Sequence, residues 1–318
     1  MLEQVISGVT TMEINQLLSF YQITKTGSFS KASEKVFKSQ SAVSHQITNL
    51  EKELKVKLLE RLGKSVRLTQ EGKALFNLVD KFFFDLDNLK GIFEDIQHSK
   101  IGYLSVVTNN AVIMYLLPKI TKTFKDEFPG VKVKLINTSI MSEIISKVLD
   151  GEADLAIGPK STQGIPPKIN FLFWKSFGRI LIMLKDHPLS KKKAIQLNDI
   201  AAYPLILYRE GTVIRKDVED NFIRNKLTYD VVMETDVAEN IKKYVEIGIG
   251  VSILSSLTAT NEDKDKFVLR DVSHLFGTTD YGIYYRAEKY ITAAMKQFIT
   301  IFSPELYDSL SSSEPRWF

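Results

Sequence analysis

Apolar residues recur at helical spacing through 13–26, where Leu17, Leu18, Phe20, Tyr21 and Ile23 share a side, and Gly27 follows in the position of a left-handed stop. The same period appears twice within 28–54, around a turn at Lys38 and Ser39. Ala32, Val36 and Phe37 form the expected inward face of the first short helix, with Ser30 as its cap. Val43, Ile47, Leu50 and Leu54 form that of the second, with Ser39 as its cap. The opposite face of the second helix opens with Gln40, Ser41, Ser44, His45 and Thr48, short polar groups suited to base edges and phosphates. Two helices about a tight turn, the second with a polar N-terminal half, is the helix-turn-helix layout, here expected to bind DNA.

The period then changes twice. At 61–69 it becomes alternating: Val66 and Leu68 point inward, and Lys64, Ser65 and Arg67 outward. This predicts a small hairpin, or wing, with Lys64 and Arg67 placed to reach phosphate or the minor groove. From Leu75 the apolar residues follow steps of four and three: Leu75, Val79, Phe82, Leu86, Leu89, Phe93, Ile96. A 3.5-residue repeat held over three heptads marks a helix that pairs along its length, so 70–98 reads as a dimerisation helix. A dimer presents two recognition helices to two half-sites, and the expected target is roughly palindromic.

Beyond 102, short apolar runs alternate with helical patterns. Strands are expected at 103–108, 131–137, 153–158, 170–185, 205–208, 230–235, 251–255 and 280–286, and helices at 113–128, 142–150, 213–225, 237–247 and 290–302. The domain at 102–305 should therefore be α/β with two lobes, one at 103–170 and 274–305, the other at 171–273. Ligands of such sheets lie beyond the carboxyl ends of the strands. Those ends place Thr108, Asn109, Asn110, Ser139, Gly158, Arg209, Thr212 and Asp236 as candidate contacts to a small polar or anionic molecule. Residues 1–11 read as an N-terminal extension and 309–318 as a frayed tail. The fold class is α+β and multi-domain.

Composition sharpens the picture at four points. Ten Lys and Arg against five Asp and Glu fall at 12–70, although the 318-residue chain carries only +4, so the basic excess lies with the helix pair. There is no cysteine, which excludes disulfides, thiolate metal sites and cysteine nucleophiles and suits a reducing cytoplasm. No apolar run approaches a membrane span, and the start of the chain lacks a signal-peptide pattern. The four histidines, at 45, 98, 187 and 274, lack metal-ligand spacing, and neither a nucleophile elbow nor a phosphate loop occurs. No enzyme activity, metal or cofactor is expected. The competing reading is a cytosolic solute-binding or sensor protein whose N-terminal module only dimerises; the basic bias of 12–70 argues against it.

Six phrases resemble the LysR-type transcriptional regulator family: LLSFYQITKTGSFSKASEKV at 17–36, SQSAVSHQITNLEKEL at 39–54, LLERLGKSVRLTQEG at 58–72, LPKITKTFKDEFPGVKV at 117–133, GEADLAIG at 151–158 and KKYVEIGIGVSILS at 242–255. The resemblance covers nearly the whole chain. It implies a winged helix-turn-helix on a long dimerisation helix and an effector domain like a periplasmic solute-binding protein. It also implies a homotetramer built as a dimer of dimers, acting on promoter DNA, with RNA polymerase as a further candidate partner. DNA contacts carry over to Gln40, Ser41, Ser44 and His45; the family usually has proline at Ser41 and a cation at His45. Residues 235–251 and the tyrosine-rich stretch 281–286 resemble the cysteine-biosynthesis and sulfur-assimilation branch, in which threonines hold a sulfate-like anion. The chain departs from that branch at Asn109, Asn110, Ala111 and Pro159.

Overall fold

The computed structural model describes residues 12–62, 65–96 and 101–311. Contacts divide the chain into two units, 1–90 and 91–318. The expected extension at 1–11, the wing residue Lys64, the side chain of Ile96, residues 97 and 98 of the linker and 312–318 of the expected tail lie outside the described residues.

In the first unit, α1 (Ile14–Thr26), α2 (Phe29–Lys35) and α3 (Gln40–Leu54) form a three-helix core, and β1 (Leu59–Leu62) pairs antiparallel with β2 (Ser65–Leu68) as the wing. Gly27 ends α1 at φ +62°, the left-handed stop. Phe20, Ile23, Ala32, Val43, Ile47 and Leu50 fill the core. Two local expectations are corrected. Ser28, not Ser30, caps α2, accepting from the Lys31 amide, because the helix begins two residues earlier, at Phe29. Phe37 is 96% exposed rather than buried: it adopts a left-handed φ of +53° in the turn, and Phe29 takes the place on the buried face.

The long helix α4 (Gln70–Ile96) follows the wing in the chain. Thr69 Oγ1 accepts from the Gly72 amide at 2.9 Å and starts it. A Cβ at Gly72 would sit 2.1 Å from the Leu58 carbonyl oxygen, so glycine is what lets the helix lie against the chain leading into the wing. Val79 is consequently buried in the three-helix core, which corrects its assignment to the dimerisation stripe, and Leu75, half-buried, packs against that core. Phe82, Leu86, Leu89 and Phe93 remain exposed along α4.

The second unit holds two groups of sheet. The first has strand order β4-β3-β5-β12-β6, made from β3 (Ile101–Thr108), β4 (Gly130–Asn137), β5 (Leu155–Pro159), β6 (Ile169–Phe177) and β12 (Thr279–Arg286). β3 is parallel to β4 and β5, while β12 runs antiparallel to β5 and β6. Phe124, Phe298 and Phe302 cover one face of this sheet, and Ile144 and Val148 the other. The second group comprises β7 (Arg179–Leu184) between β10 (Ser252–Ser255) and β11 (Phe267–Asp271), with β8 (Pro204–Tyr208) parallel to β9 (Asp230–Thr235). A parallel bridge from Leu205 to Val251 joins these two small sheets.

Membership of the sheets moves the expected lobe boundaries. β6 pairs along its length with β12, so 171–177 belongs with the first lobe and the chain crosses at Gly178. The return crossing lies at Gly277, since Val272 and Phe276 pack in the second core. The helix expected at 113–128 is two, α5 (Asn110–Tyr115) and α6 (Leu117–Glu127), because Pro118 has no N–H to continue the first. Pro304–Ser311 is helical and buries Leu306, so the expected frayed tail does not begin at 309.

Candidate functional site

In the first unit, the Ser39 hydroxyl accepts from the Ala42 amide and fixes the start of α3. Gln40, Ser41, His45 and Thr48 are exposed on its first three turns, with Ser44 half-buried among them. Asn49 Nδ2 and His45 Nδ1 lie 3.4 Å apart, and Thr48 Oγ1 donates to the Ser44 carbonyl. Arg67 is exposed on β2. At its far end α3 is anchored by Glu51, which the sequence reading passed over. Glu51 Oε1 accepts from the Leu58 and Leu59 amides at 2.9 and 3.3 Å, and Oε2 from Lys57 Nζ at 2.6 Å. The recognition helix and the start of the wing thus share one buried carboxylate. The result is an exposed polar helix face anchored at both ends, which suits a major groove.

In the second unit, a cleft opens between the two groups of sheet. Asn109, Asn110, Ser139, Thr212 and Asp236 line it as expected. Asn109 and Thr212 cap α5 and α9 (Val213–Arg224), accepting from the Val112 and Arg215 amides. The start of α10 (Ala238–Glu246) also reaches the cleft, at Ala238. The amino ends of α9 and α10 bring partial positive charge to it.

Three expected contacts are elsewhere. Thr108 is fully buried and donates to the Ile157 carbonyl, because the last residue of β3 turns its side chain into the sheet. Gly158 sits within buried β5, with Ile144 as the neighbour a Cβ would meet. Arg209 does not line the cleft; its Nε lies 3.6 Å from Asp236. Two further cations of the second unit are likewise engaged in structure. Arg215 holds Glu219 and the Tyr208 carbonyl, and Lys242 holds Asp263 at 2.7 Å and the Thr258 carbonyl. Asp236 is the one formally charged side chain on the lining.

Four hydroxyls that the sequence reading missed complete the lining: Tyr208, Ser255, Thr279 and Tyr281. Tyr208 and Ser255 end β8 and β10, so the strand-end rule reaches them. Thr279 and Tyr281 begin β12. That strand runs antiparallel, and its amino end therefore lies beside the carboxyl ends of the others. Burial pushes the Tyr208 phenol well above its ordinary range, and burial also raises that of Tyr281 against the opposing hydrogen bond from Asn109. Both remain protonated donors at neutral pH. The site is therefore rich in uncharged hydrogen-bond donors and helix starts, with Ala111, Pro159, Val213 and Ile214 as its apolar walls.

Known proteins carry the same two parts in the same order. Residues 14–73 match the family of bacterial regulatory helix-turn-helix proteins of the lysR type, and residues 97–306 match the LysR substrate binding domain. The HTH-type transcriptional regulator SsuR of Burkholderia cenocepacia is 31% identical over 275 residues, 86% of this chain and 89% of that protein. The cofactor-binding domain of the Cbl transcriptional regulator is 25% identical with a TM-score of 0.61, covering 68% of this chain and 95% of that structure. Full-length OxyR from Pseudomonas aeruginosa, 22% identical with a TM-score of 0.67, covers 91% of this chain and 94% of its own and shares the fold. With both its helix-turn-helix and its substrate-binding domain matched, the chain belongs to the LysR family of DNA-binding transcriptional regulators.

Proposed function

We propose that the chain works in the cytoplasm as a dimer, paired further into a tetramer, that reads two half-sites of promoter DNA and is modulated by a small polar or anionic metabolite in the cleft. The observation that carries this reading is the exposed polar face of α3, locked between the Ser39 cap and the Glu51 anchor. Ser39, Gln40, Ser41, Ser44, His45 and Thr48 are its contacts to bases and phosphates, with Lys64 and Arg67 of the wing at flanking phosphates. The exposed stripe Phe82, Leu86, Leu89 and Phe93 supplies the pairing surface, and RNA polymerase is a further partner. The likeness to SsuR and Cbl, together with the phrase at 235–251, supports an effector from sulfur or amino-acid metabolism. Asn109, Asn110, Ser139, Thr212 and Asp236 are proposed to touch it, joined by the hydroxyls of Tyr208, Ser255, Thr279 and Tyr281.

A gel-retardation assay with the gene's own upstream DNA tests the reading. Binding is expected to weaken steeply with salt as phosphate contacts release counterions. Ser44→Ala and His45→Ala are each expected to cost about 1–3 kcal/mol of specific affinity, the worth of a base contact, with little change on random DNA. No retardation at low salt by folded protein, or unchanged specific affinity in both variants, sinks the assignment of the α3 face.

A further inference from the structure

His45 and Asn49 stand one turn apart on α3, and their side chains meet: Asn49 Nδ2 lies 3.4 Å from His45 Nδ1. Both atoms are nitrogens. The amide nitrogen carries hydrogens and offers no lone pair, so the ring nitrogen is the acceptor. In a neutral imidazole one nitrogen accepts and the other holds the hydrogen, and the bond made by one sets the role of the other. The hydrogen of His45 is therefore on Nε2, the ring nitrogen farther from the backbone. His45 is exposed, and its Nε2 has no hydrogen-bond partner among the described residues.

Thr48 is sorted the other way. Its Oγ1 donates to the Ser44 carbonyl at 3.0 Å. A hydroxyl has a single hydrogen, so Thr48 Oγ1 is left with lone pairs alone. Thr48 is exposed too, and three residues from His45 it is its neighbour on the helix surface. Two side chains that could each donate or accept are thus fixed by bonds within the helix, one as a donor and the other as an acceptor.

Base edges in the major groove differ on the same terms. Guanine presents two acceptors, N7 and O6; cytosine presents an amino donor; adenine presents the acceptor N7 beside an amino donor. We propose that His45 reads guanine as a neutral Nε2–H donor, that Thr48 accepts from the amino group of an adjacent cytosine or adenine, and that Asn49 sets the first of these choices. Adenine opposite His45 places its amino group against a second donor. With the hydrogen on Nδ1 instead, Nε2 would accept from that amino group and the penalty would vanish. His45 and Thr48 touch the bases, and Asn49 is a positioning residue acting through His45. This code rests on the DNA-binding reading of α3 given above and adds the bases it takes.

Duplexes selected from a random pool by the full-length protein are the probes, with affinities for the selected site and its single substitutions measured by gel retardation at fixed salt and mildly alkaline pH. His45→Ala should flatten the preference at one position of each half-site, which identifies the base that His45 reads. That base is expected to be guanine, preferred over adenine about tenfold, the scale of one base contact. Asn49→Ala should lower this ratio several-fold at that position alone. A merely structural role for Asn49 would weaken all sequences alike and leave the ratio unmoved. Thr48→Val should relax the choice at a neighbouring position, and Thr48→Ser, which keeps the hydroxyl, should restore it. Nitrogen magnetic resonance of the full-length protein labelled at histidine reads the ring without DNA. The His45 signals, identified by their loss in His45→Ala, should show a bare Nδ1 and a protonated Nε2. The opposite tautomer, a base other than guanine at the position His45 reads, or an unaltered ratio in Asn49→Ala overturns the proposal while α3 keeps its DNA-binding role. A pool from which folded protein enriches no sequence overturns both.

Discussion

Glu51 ties the recognition helix to the wing through three hydrogen bonds, and its titration carries a stability signature. Burial alone would raise its pKa. The Lys57 ammonium and the Leu58 and Leu59 amides outweigh that and hold the carboxyl below its usual range. A carboxyl whose pKa is depressed in the folded state stabilises it at pH above the unfolded carboxylate range. That contribution is lost as pH falls through the folded value. Glu51→Gln removes the charge and should cost about 1–2 kcal/mol at neutral pH, since one buried and one half-buried amide then bond a weaker acceptor. Peptide-resolved hydrogen exchange should show the Leu58 and Leu59 amides opening faster in the variant at pH 7, with the difference shrinking toward acid pH. An unchanged rate at neutral pH would mean the carboxylate does not anchor the wing. Neither role of Glu51 is visible in sequence, where it reads as one more polar residue on an amphipathic helix. Phe37 shows the opposite failure. Its spacing assigned it to the core, and a left-handed backbone in the turn carried it out.

At the scale of elements, the seven-residue repeat of α4 serves two masters. Of its first members, Val79 is buried in the three-helix core and Leu75 packs against it, and the later ones stay exposed, Phe93 at 60%. The distinction yields opposite outcomes for similar substitutions. Leu86→Asp should weaken self-association about a hundredfold or more, because burying a leucine is worth about 1.5–3 kcal/mol and a symmetric interface loses two. Sedimentation velocity over a concentration series reads it. Val79→Ala should instead lower the melting temperature and leave the oligomer in place. Should Leu86→Asp sediment as the wild type does, the stripe is not the pairing surface. Periodicity revealed the helix and its apolar seam, and the helix positions agree with the sequence within a few residues. It could not show which partner each turn meets, because a 3.5-residue repeat looks the same against its own domain and against another chain.

For the substrate-binding unit as a whole, the two lobes are joined by side chains as well as by the crossings at Gly178 and Gly277. Tyr115 Oη on α5 donates to Glu239 and accepts from Lys242 Nζ at 3.0 Å, both on α10, and Asn110 Nδ2 reaches Glu239 Oε2 at 3.4 Å. These contacts bridge the lobes at one edge of the cleft, since Asn110 and Ala238 line it. Tyr115→Phe removes the shared hydroxyl without altering either core. It should widen the unliganded cleft, read as a larger radius of gyration in small-angle scattering. An identical scattering curve would show that the crossings alone set the lobe angle. Lobes and crossings were legible in outline from the alternation of strands and helices. Their edges were displaced because β6 continues the first sheet through strand pairing that no local pattern records.

The amino-acid sequence by itself determined the order of parts: a helix-turn-helix with a wing, a long helix, then an α/β domain of two lobes. Each part is specified by local periods, caps and breakers that act within a few residues. It also determined the polar face of α3, since Gln40, Ser41, Ser44, His45 and Thr48 need only the helix to share a side. Tertiary structure alone decided the chemistry of the cleft. Thr108, Gly158 and Arg209 sit at or beside strand ends yet do not line the cleft, while Thr279 and Tyr281 enter from a strand of reversed direction. Donor and acceptor roles there depend on contacts between residues a hundred or more positions apart, such as Arg179 with Thr279, and such contacts exist only once the chain has folded.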